Sequence, residues 1–389
     1  MLLADQPRPW GAEMNSAPQT PHLLFLDTGK RGARRSPPDN AAAPENAGAA
    51  SAKKPKKGGM GSGEGSSSPF PSSFPFALLV AGPTTSGKSA LALTLAEQLG
   101  GVVINADSMQ LYRELRVITA RPTPEEEARV PHRLYGVRPA AEAASVAWWR
   151  AAALAEMEAA REAGRLPILA GGTGLYFASL TEGLSAIPEI GEPARTGARS
   201  LLRELGPEAL HARLSEVDAD TAARLRPSDS QRVARAWEVW RETGRGLAAW
   251  QRERGTSAPW RFAAILLDPP RDALRDAIAR RWSAMLQAGA LDEVRALAAQ
   301  RLDPALPAMR AHGVPELAAH LAGGMTLEDA SARAILNTGQ YTKRQATWFR
   351  HHALAPPSRT HRINARIAGL EQLSESFLAE IRMFLEAAR

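Results

Sequence analysis

Apolar and polar positions along this chain fall into blocks whose period changes from strand-like to helix-like and back. Residues 76–80 (Phe-Ala-Leu-Leu-Val) are a short continuous apolar run followed at once by a glycine loop. Runs of that length bounded by turn signals read as buried strands. Similar runs occupy 102–105, 166–170 and 262–267, and stop near Asp107, at Gly171-Gly172-Thr173 and at Asp268. Helical patterns separate them, at 89–99 and in the Ala- and Glu-rich stretch 143–163. Strands alternating with helices predict an α/β fold with a parallel sheet. Such sheets present their site residues at the carboxyl ends of the strands.

From about 187 to 258 the strand pattern disappears and arginines accumulate on helical segments. This reads as a helical insertion in the α/β core. After 268 the pattern predicts helices at 271–288, 292–300, 314–321 and 327–349, with 356–389 as a C-terminal tail or helix. The core is therefore expected in two parts, 76–186 and 259–355. Residues 1–75 differ from all of this. They are rich in Pro, Ala, Gly and Ser, with basic clusters at 30–35 and 53–57, and are expected to be disordered because they offer too little apolar surface to offset ordering entropy. Three explanations stand for them: a nucleic-acid-binding tail, a targeting peptide, or a start assigned upstream of an initiator at Met60. A dispensable extension is favoured. The Leu23–Leu26 patch is too short for a secretory apolar region.

Composition narrows the function classes. No run approaches the roughly 20 apolar residues of a membrane span, which predicts a soluble protein with no membrane partner. Cysteine is absent from the 389 residues, which excludes disulfides, thiolate metal sites and cysteine nucleophiles, and fits a cytoplasmic setting. A formal charge of +7 invites a polyanion, although a merely basic surface gives the same number.

The strongest chemical signal is Gly82-Pro83-Thr84-Thr85-Ser86-Gly87-Lys88-Ser89, a G-x-x-x-x-G-K-S loop between a predicted strand and a predicted helix. Glycines let backbone N–H groups face inward as an anion nest, and the helix N-terminus adds its positive dipole end. Lys88 brings a point charge to phosphate oxygens and Ser89 a hydroxyl for Mg²⁺. The loop predicts a polyphosphate ligand without saying which one. It makes the expected fold a P-loop NTPase-like parallel-sheet core with a helical insertion domain and a helical C-terminal part.

Other constellations are weaker alone. Asp107, at the end of the second strand, fits a Mg²⁺ ligand, a general base or a helix N-cap. The glycines before Thr173 permit close approach of a ligand or make an ordinary turn. Arg232 and Arg235, three apart on a helix, join Arg224, Arg226, Arg241 and Arg245 in a basic surface suited to phosphates, or in a solvated face paired with Glu238 and Glu242. Bases and aromatics interleave in Arg280-Arg281-Trp282 and from Tyr341 to His352. That pattern suits unpaired nucleic acid, although Trp348 and Phe349 equally suit core packing. His351 and His352 lack a partner at metal-ligand spacing.

Taken in order, these residues resemble the tRNA dimethylallyltransferase family over about 77–352. The resemblance rests on the loop at 82–89, Ala-Asp-Ser-Met-Gln-Leu-Tyr at 106–112, Thr-Ala-Arg-Pro-Thr at 119–123, Val-Pro-His at 130–132, Gly-Gly-Thr-Gly-Leu-Tyr-Phe at 171–177, Asp-Ser-Gln-Arg-Val-Ala-Arg-Ala-Trp-Glu-Val at 229–239, and Lys-Arg-Gln-Ala-Thr-Trp-Phe-Arg at 343–350. It implies transfer of a dimethylallyl group from dimethylallyl diphosphate, with Mg²⁺, to N6 of the adenosine just 3′ of the anticodon (position 37). The loop 82–89 would then cradle diphosphate, Asp107 would take the N6 proton, Thr173 would lie near the amine and the leaving oxygen, and Lys88 and Arg281 would bind diphosphate. Residues matching tRNA-facing stretches are Asp107, Ser108, Met109, Gln110, Thr173, Arg195, Gln231, Arg232, Val233, Ala234, Arg235, Arg310, His312, Gly313, Lys343, Arg344, Gln345, Trp348 and Arg350. A monomer is expected.

Four positions depart from the family pattern. At Arg116-Val117-Ile118-Thr119 the family usually has Asp-Ile-Gly-Thr, so Ile118 stands in the glycine's place, which questions the geometry of the 116–122 loop. Gly197, Ala277 and Gly339 stand where arginines are common, which questions affinity for diphosphate or tRNA. Rival readings are an ATP-using small-molecule or nucleoside kinase, and a non-catalytic RNA-binding protein with a vestigial loop. The basic insertion and C-terminal helix argue against the first; intact Lys88, Ser89 and Asp107 argue against the second.

Overall fold

A computed structural model describes residues 75–253, 255–369 and 372–388. The reading of an N-terminal extension falls on residues 1–74, outside the described residues. The elements run β1 (Phe76–Ala81), α1 (Lys88–Leu99), β2 (Gly101–Asn105), α2 (Pro124–Arg129), β3 (His132–Arg133), α3 (Val146–Glu162), β4 (Leu166–Gly171), α4 (Gly174–Thr181), α5 (Glu192–Val217), α6 (Ala219–Ala222), α7 (Ser230–Thr243) and α8 (Leu247–Arg252). They continue with β5 (Arg261–Leu267), α9 (Arg271–Gln287), α10 (Ala290–Ala299), α11 (Val314–Leu321), α12 (Leu327–His351), β6 (Thr360–Ile363) and α13 (Glu375–Ala388).

The six strands form one sheet in the order β3-β2-β4-β1-β5-β6, and every pairing is parallel. Alternation along the strands sorts side chains to two faces. Ala77, Leu79 and Ala81 of β1 join Trp149 and Phe177 of the helices on one face. Leu78 and Val80 join Leu91 and Leu95 of α1 and Ile381 and Leu385 of α13 on the other. Both faces are covered, as a parallel sheet requires. Pairing of Ala81 with Gly171 and of Asn105 with Ala170 brings the ends of β1, β4 and β2 level. The loops that follow these three strands are therefore neighbours.

The expected helical insertion appears as α5 to α8, with its own apolar cluster around Leu214, Ala236 and Val239. Gly206, at φ 76°, breaks α5 immediately before Pro207, as proline inside a helix requires. The segment after 355, read from sequence as a tail or helix, holds the helix α13 and also a strand that the reading lacked. Its strand β6 extends the core sheet beside β5, and α13 closes one face of it. β6 has only four residues, too few for a strand pattern to stand out. Among the described residues no helix is long and apolar enough to cross a membrane.

Candidate active site

The glycine loop links β1 to α1 in the expected way. Gly82 is needed because a Cβ there would lie 2.8 Å from the Leu267 carbonyl oxygen. Gly87 caps α1 at φ 95°, in the left-handed region that favours glycine. Thr85 also lies there, at φ 66°, although it is β-branched. Ser86 is fully buried, and its hydroxyl has no hydrogen-bond partner among the described residues. Lys88 and Ser89, at the start of the helix, line a cavity of about 760 Å³ together with Thr84 and Thr85.

Asp107 enters the same cavity from the end of β2. Its loop is held by buried Asn105, whose side chain accepts from the Asp107 amide (2.8 Å) and donates to the Asp107 and Leu134 carbonyls (2.9 and 3.0 Å). One carboxylate oxygen of Asp107 accepts from the Met109 amide at 3.0 Å. Thr173, at the end of β4, accepts from the Ser108 amide at 3.0 Å, and its own amide donates to the Ala106 carbonyl at 3.2 Å. Gly171 allows this lacing, since a Cβ there would lie 2.1 Å from the Ala106 backbone. Arg281 reaches the site from α9 and donates to the Thr119 carbonyl at 3.0 Å.

Lys88, Asp107 and Arg281 share one electrostatic field. Burial, the larger effect, pulls the Lys88 ammonium down to about 8; Asp107 opposes this and Arg281 adds to it. Arg281 is also lowered by burial, with Asp107 again supporting its charge. One carboxylate thus faces two cations in a partly enclosed space, which favours an anionic ligand. The hard oxygens of Ser89 and Asp107 line the same cavity. Among the described residues no group of three or more His, Cys, Asp or Glu side chains could cage a metal. Mg²⁺ is ordinarily held by one or two protein oxygens, water and substrate phosphates. The donors present fit that manner of binding.

The other walls come from the insertion (Arg195, Gln231 and Arg235), from the segment just before α11 (Arg310 and His312) and from α12 (Tyr341). Ser108, Met109 and Gln110 line the cavity too. The Gln110 amide is spent on the Thr119 and Ala120 carbonyls (3.0 and 2.9 Å). Burial pushes the His312 imidazole down to about 4, helped by Arg344, so His312 is neutral.

Several predicted RNA-facing residues lie elsewhere. Val233 and Ala234 are buried on α7, where the apolar stripe packs the insertion. Arg232 is ion-paired with Asp229 at 3.5 Å. Gly313 is a helix cap at φ 97°, where a Cβ would meet the Trp282 ring at 2.7 Å. Trp348 is buried and stacks on His352 at 4.2 Å. Lys343 is exposed, and Arg344 lies over the Tyr341 ring at 5.6 Å. Arg350 pairs with Asp268 at 3.2 Å. Gln345 is fully buried; its carbonyl accepts from the Thr84 amide and its amide donates to the Gly172 carbonyl, both at 2.9 Å. It ties the phosphate loop to the β4 turn.

The sequence pattern of the family described as IPP transferase matches residues 110–352, and that described as isopentenyl transferase matches 76–143. A tRNA dimethylallyltransferase of Granulibacter bethesdensis is 62% identical over 312 residues, which are 80% of this chain and 98% of the relative. One from Gluconacetobacter diazotrophicus is 60% identical, covering 79% of this chain and 93% of the relative. A solved tRNA isopentenylpyrophosphate transferase from Bacillus halodurans is 31% identical with a TM-score of 0.57, over 80% of this chain and 98% of that one. A eukaryotic dimethylallyltransferase solved acting on tRNA shares the fold, at a TM-score of 0.69 and 24% identity, over 81% of this chain and 80% of that one.

The chain belongs to the IPP transferase family. Its departures from the family pattern can now be placed. Neither Val117 nor Ile118 is in the left-handed region; among the described residues, the only non-glycine residue of their loop that is there is Ala120 at φ 47°. The Arg116, Val117 and Ile118 amides all donate to the Glu293 carboxylate (2.8, 2.7 and 2.9 Å). The loop therefore keeps its shape without a glycine at 118. A side chain at Gly197 or Gly339 would meet open space, whereas Ala277 faces the core.

Sequence reasoning met Tyr341 only as the start of a basic and aromatic stretch and did not single it out as a site residue. Its buried hydroxyl interacts with the side chains of Thr173 and Gln345, and burial pushes its ionisation far above the usual phenol range. The signal was present: 341, 345 and 348 recur at helical spacing, marking the buried stripe of α12. Trp148, with the Arg138 guanidinium 4.8 Å from its ring centroid, is a second missed wall residue. Nothing local in the sequence distinguishes it from Trp149 beside it, which is core.

Proposed function

We propose that this chain transfers the dimethylallyl group of dimethylallyl diphosphate to N6 of adenosine 37 in tRNA, giving N6-dimethylallyladenosine and diphosphate. The observation that carries the reading is the single cavity onto which Lys88, Ser89, Asp107, Thr173 and Arg281 all open. The same cavity is walled on other sides by Arg195, Gln231, Arg235 and Arg310. A phosphate cradle with a carboxylate suits the transfer. The added basic walls suit an acceptor far larger than a nucleoside.

The chemistry follows from the groups present. An exocyclic amine is a poor nucleophile because its lone pair is delocalised into the purine. Asp107 takes the N6 proton as the N6–C1 bond forms, so no charge builds on nitrogen. The C1–O bond breaks at the same time, and its electron pair leaves with diphosphate. Lys88, Arg281 and the loop amides stabilise that leaving charge. Ser89 would hold Mg²⁺, which would supply further positive charge to the leaving group. Thr173, whose hydroxyl is fixed against Ser108, would lie near the amine and the leaving oxygen. The adenine leaves its stack to enter the cavity, as base-modifying enzymes generally require.

The working unit in this reading is a monomer. The compartment this reading calls for is the cytoplasm, where the tRNA acceptor is. The test is incubation with Mg²⁺, unmodified tRNA bearing an adenosine 3′ of the anticodon, and either dimethylallyl diphosphate or ATP, read by mass spectrometry of the digested tRNA. A dimethylallyl mass gain on that adenosine, dependent on the diphosphate and absent with Asp107→Ala, is expected. No gain, with ATP consumed instead, would sink the reading in favour of a kinase.

A further inference from the structure

Thr85 is an unusual residue to find at φ 66°. A β-branched side chain in the left-handed region is strained, and such strain persists only where the surroundings over-determine it. The hydroxyl of Thr85 turns back on the Thr84 carbonyl at 2.6 Å, which is local and does not fix the backbone against the rest of the protein. The anchoring contacts come from the far end of the chain. Arg366 donates from Nε to the Thr85 carbonyl at 2.9 Å. The next residue, Ile367, donates its amide to the Ser86 carbonyl at 3.0 Å. Ile367 also lies directly against Gly87, where a Cβ would come within 2.1 Å of its carbonyl oxygen.

The strap that carries these contacts is itself fixed at both ends. Before it, β6 pairs with β5 up to Ile363, the Asp268 amide donates to the Ile363 carbonyl at 2.9 Å, and Arg362 pairs with Asp268 at 2.9 Å. After it, α13 buries Leu378, Ile381 and Leu385 in the cluster that holds Leu91 and Leu95 of α1. Neither Arg366 nor Ile367 lines the cavity. They hold the outer carbonyls of the loop and leave its inner surface to the ligand.

We propose that Arg366 is a positioning residue for the diphosphate loop: by bonding the Thr85 carbonyl it holds a strained peptide in the conformation that aims the loop amides at diphosphate. This rests on the reading of residues 82–89 as a diphosphate cradle. The family pattern stops at 352, so the brace lies beyond the segment that carries the recognisable motifs. Arg366 touches neither substrate. Its loss weakens diphosphate binding and leaves the tRNA face and the reacting groups in place.

Glycine adopts φ 66° at no steric cost, so a glycine at 85 separates strain from other causes. The full-length protein is titrated calorimetrically with inorganic pyrophosphate and with dimethylallyl diphosphate. Arg366→Ala should weaken both about tenfold, an effect within the range that such strain costs. The KM for dimethylallyl diphosphate should rise in step, with kcat and tRNA affinity unchanged. In a Thr85→Gly background the same change should cost little, because the loop no longer needs the brace. Arg366→Lys keeps the charge without the guanidinium Nε–H, so it should behave like Arg366→Ala; it decides the matter if the alanine variant fails to fold. Equal binding by wild type and Arg366→Ala overturns the inference. So does the same loss with and without Thr85→Gly, or full binding by Arg366→Lys, which would make charge the cause. If the wild type binds neither ligand, it is the reading of the cradle that fails.

Discussion

Two loops meet at the carboxyl edge of the sheet, and they are held in opposite ways. The loop carrying Asp107 is fixed by its neighbours in the sheet. Asn105, two residues away, bonds it on both sides, and Thr173 secures it from the adjacent strand end. The loop carrying Lys88 is fixed from afar. Gln345 holds the Thr84 amide and Arg366 the Thr85 carbonyl, across 261 and 281 residues of sequence. A short polar side chain can steer a group beside it, because the strand already fixes the backbone. A glycine-rich loop has no such frame and takes its shape from whatever packs on it. The two halves of the chemistry, base and diphosphate cradle, should therefore respond differently to substitution.

The sharpest separation is expected at Asp107. Asp107→Asn keeps an oxygen able to accept from the Met109 amide, so the loop stands while the proton acceptor is lost. General-base catalysis is typically worth 10²–10⁴-fold, and kcat should fall by about that factor. Calorimetric affinity for dimethylallyl diphosphate should stay within about twofold, well below the 1.4 kcal/mol of a tenfold change. A comparable loss of diphosphate affinity would show that the two loops do not act independently.

Gln345 sharpens the comparison from the other side. Gln345→Leu removes both bonds of a fully buried amide and strands the Thr84 N–H and the Gly172 carbonyl. A buried group left without a partner costs about 1–3 kcal/mol. The variant should unfold at lower temperature in a melting experiment, and its KM for the diphosphate substrate should rise about tenfold, following the same energy. Lys88 gives a smaller, graded effect. With its ammonium pulled down to about 8 in the free protein, Lys88 is charged below that pH and neutral above it. Diphosphate prefers the charged form. A pH profile of kcat/KM for dimethylallyl diphosphate should therefore decline above about pH 8, and the residual activity of Lys88→Arg should lack that inflection because arginine stays protonated.

The same contrast explains what the sequence disclosed. Strands β1, β2, β4 and β5 were legible because each is a buried apolar run, and the helices after 268 because their apolar spacing is regular. The Lys88 loop and Asp107 were legible because their chemistry is written in adjacent residues. Gln345 was misplaced for the opposite reason. It stands in a basic stretch that reads as an RNA surface, and only its spacing from Tyr341 and Trp348 betrays a buried stripe. Arg366 was not found at all. Nothing near it in sequence marks a residue whose partner is a backbone carbonyl in the phosphate loop. β3, with two residues, offers too little pattern to read.

The smallest effect concerns the loop that lacks its usual glycine. Val117, next to the glycine's usual place at 118, has an ordinary backbone conformation, an amide bonded to Glu293 and a side chain partly buried against the cluster around Trp282. Glycine would bring no relief of strain there. It would widen the conformational range of the unfolded chain and remove a packed side chain. Val117→Gly should therefore destabilise, by about 1 kcal/mol from the backbone effect and a little more from packing. Ala120, exposed at φ 47°, is the reverse case. Glycine there gains relief from the left-handed conformation that offsets the unfolded-state loss, so Ala120→Gly should leave the melting temperature nearly unchanged. Neither variant should alter kcat, because Thr119 still presents its carbonyl to Arg281 as long as Glu293 gathers the three amides. A rise in melting temperature for Val117→Gly would mean that valine strains this loop after all, and that Glu293 is holding a distorted backbone rather than a relaxed one.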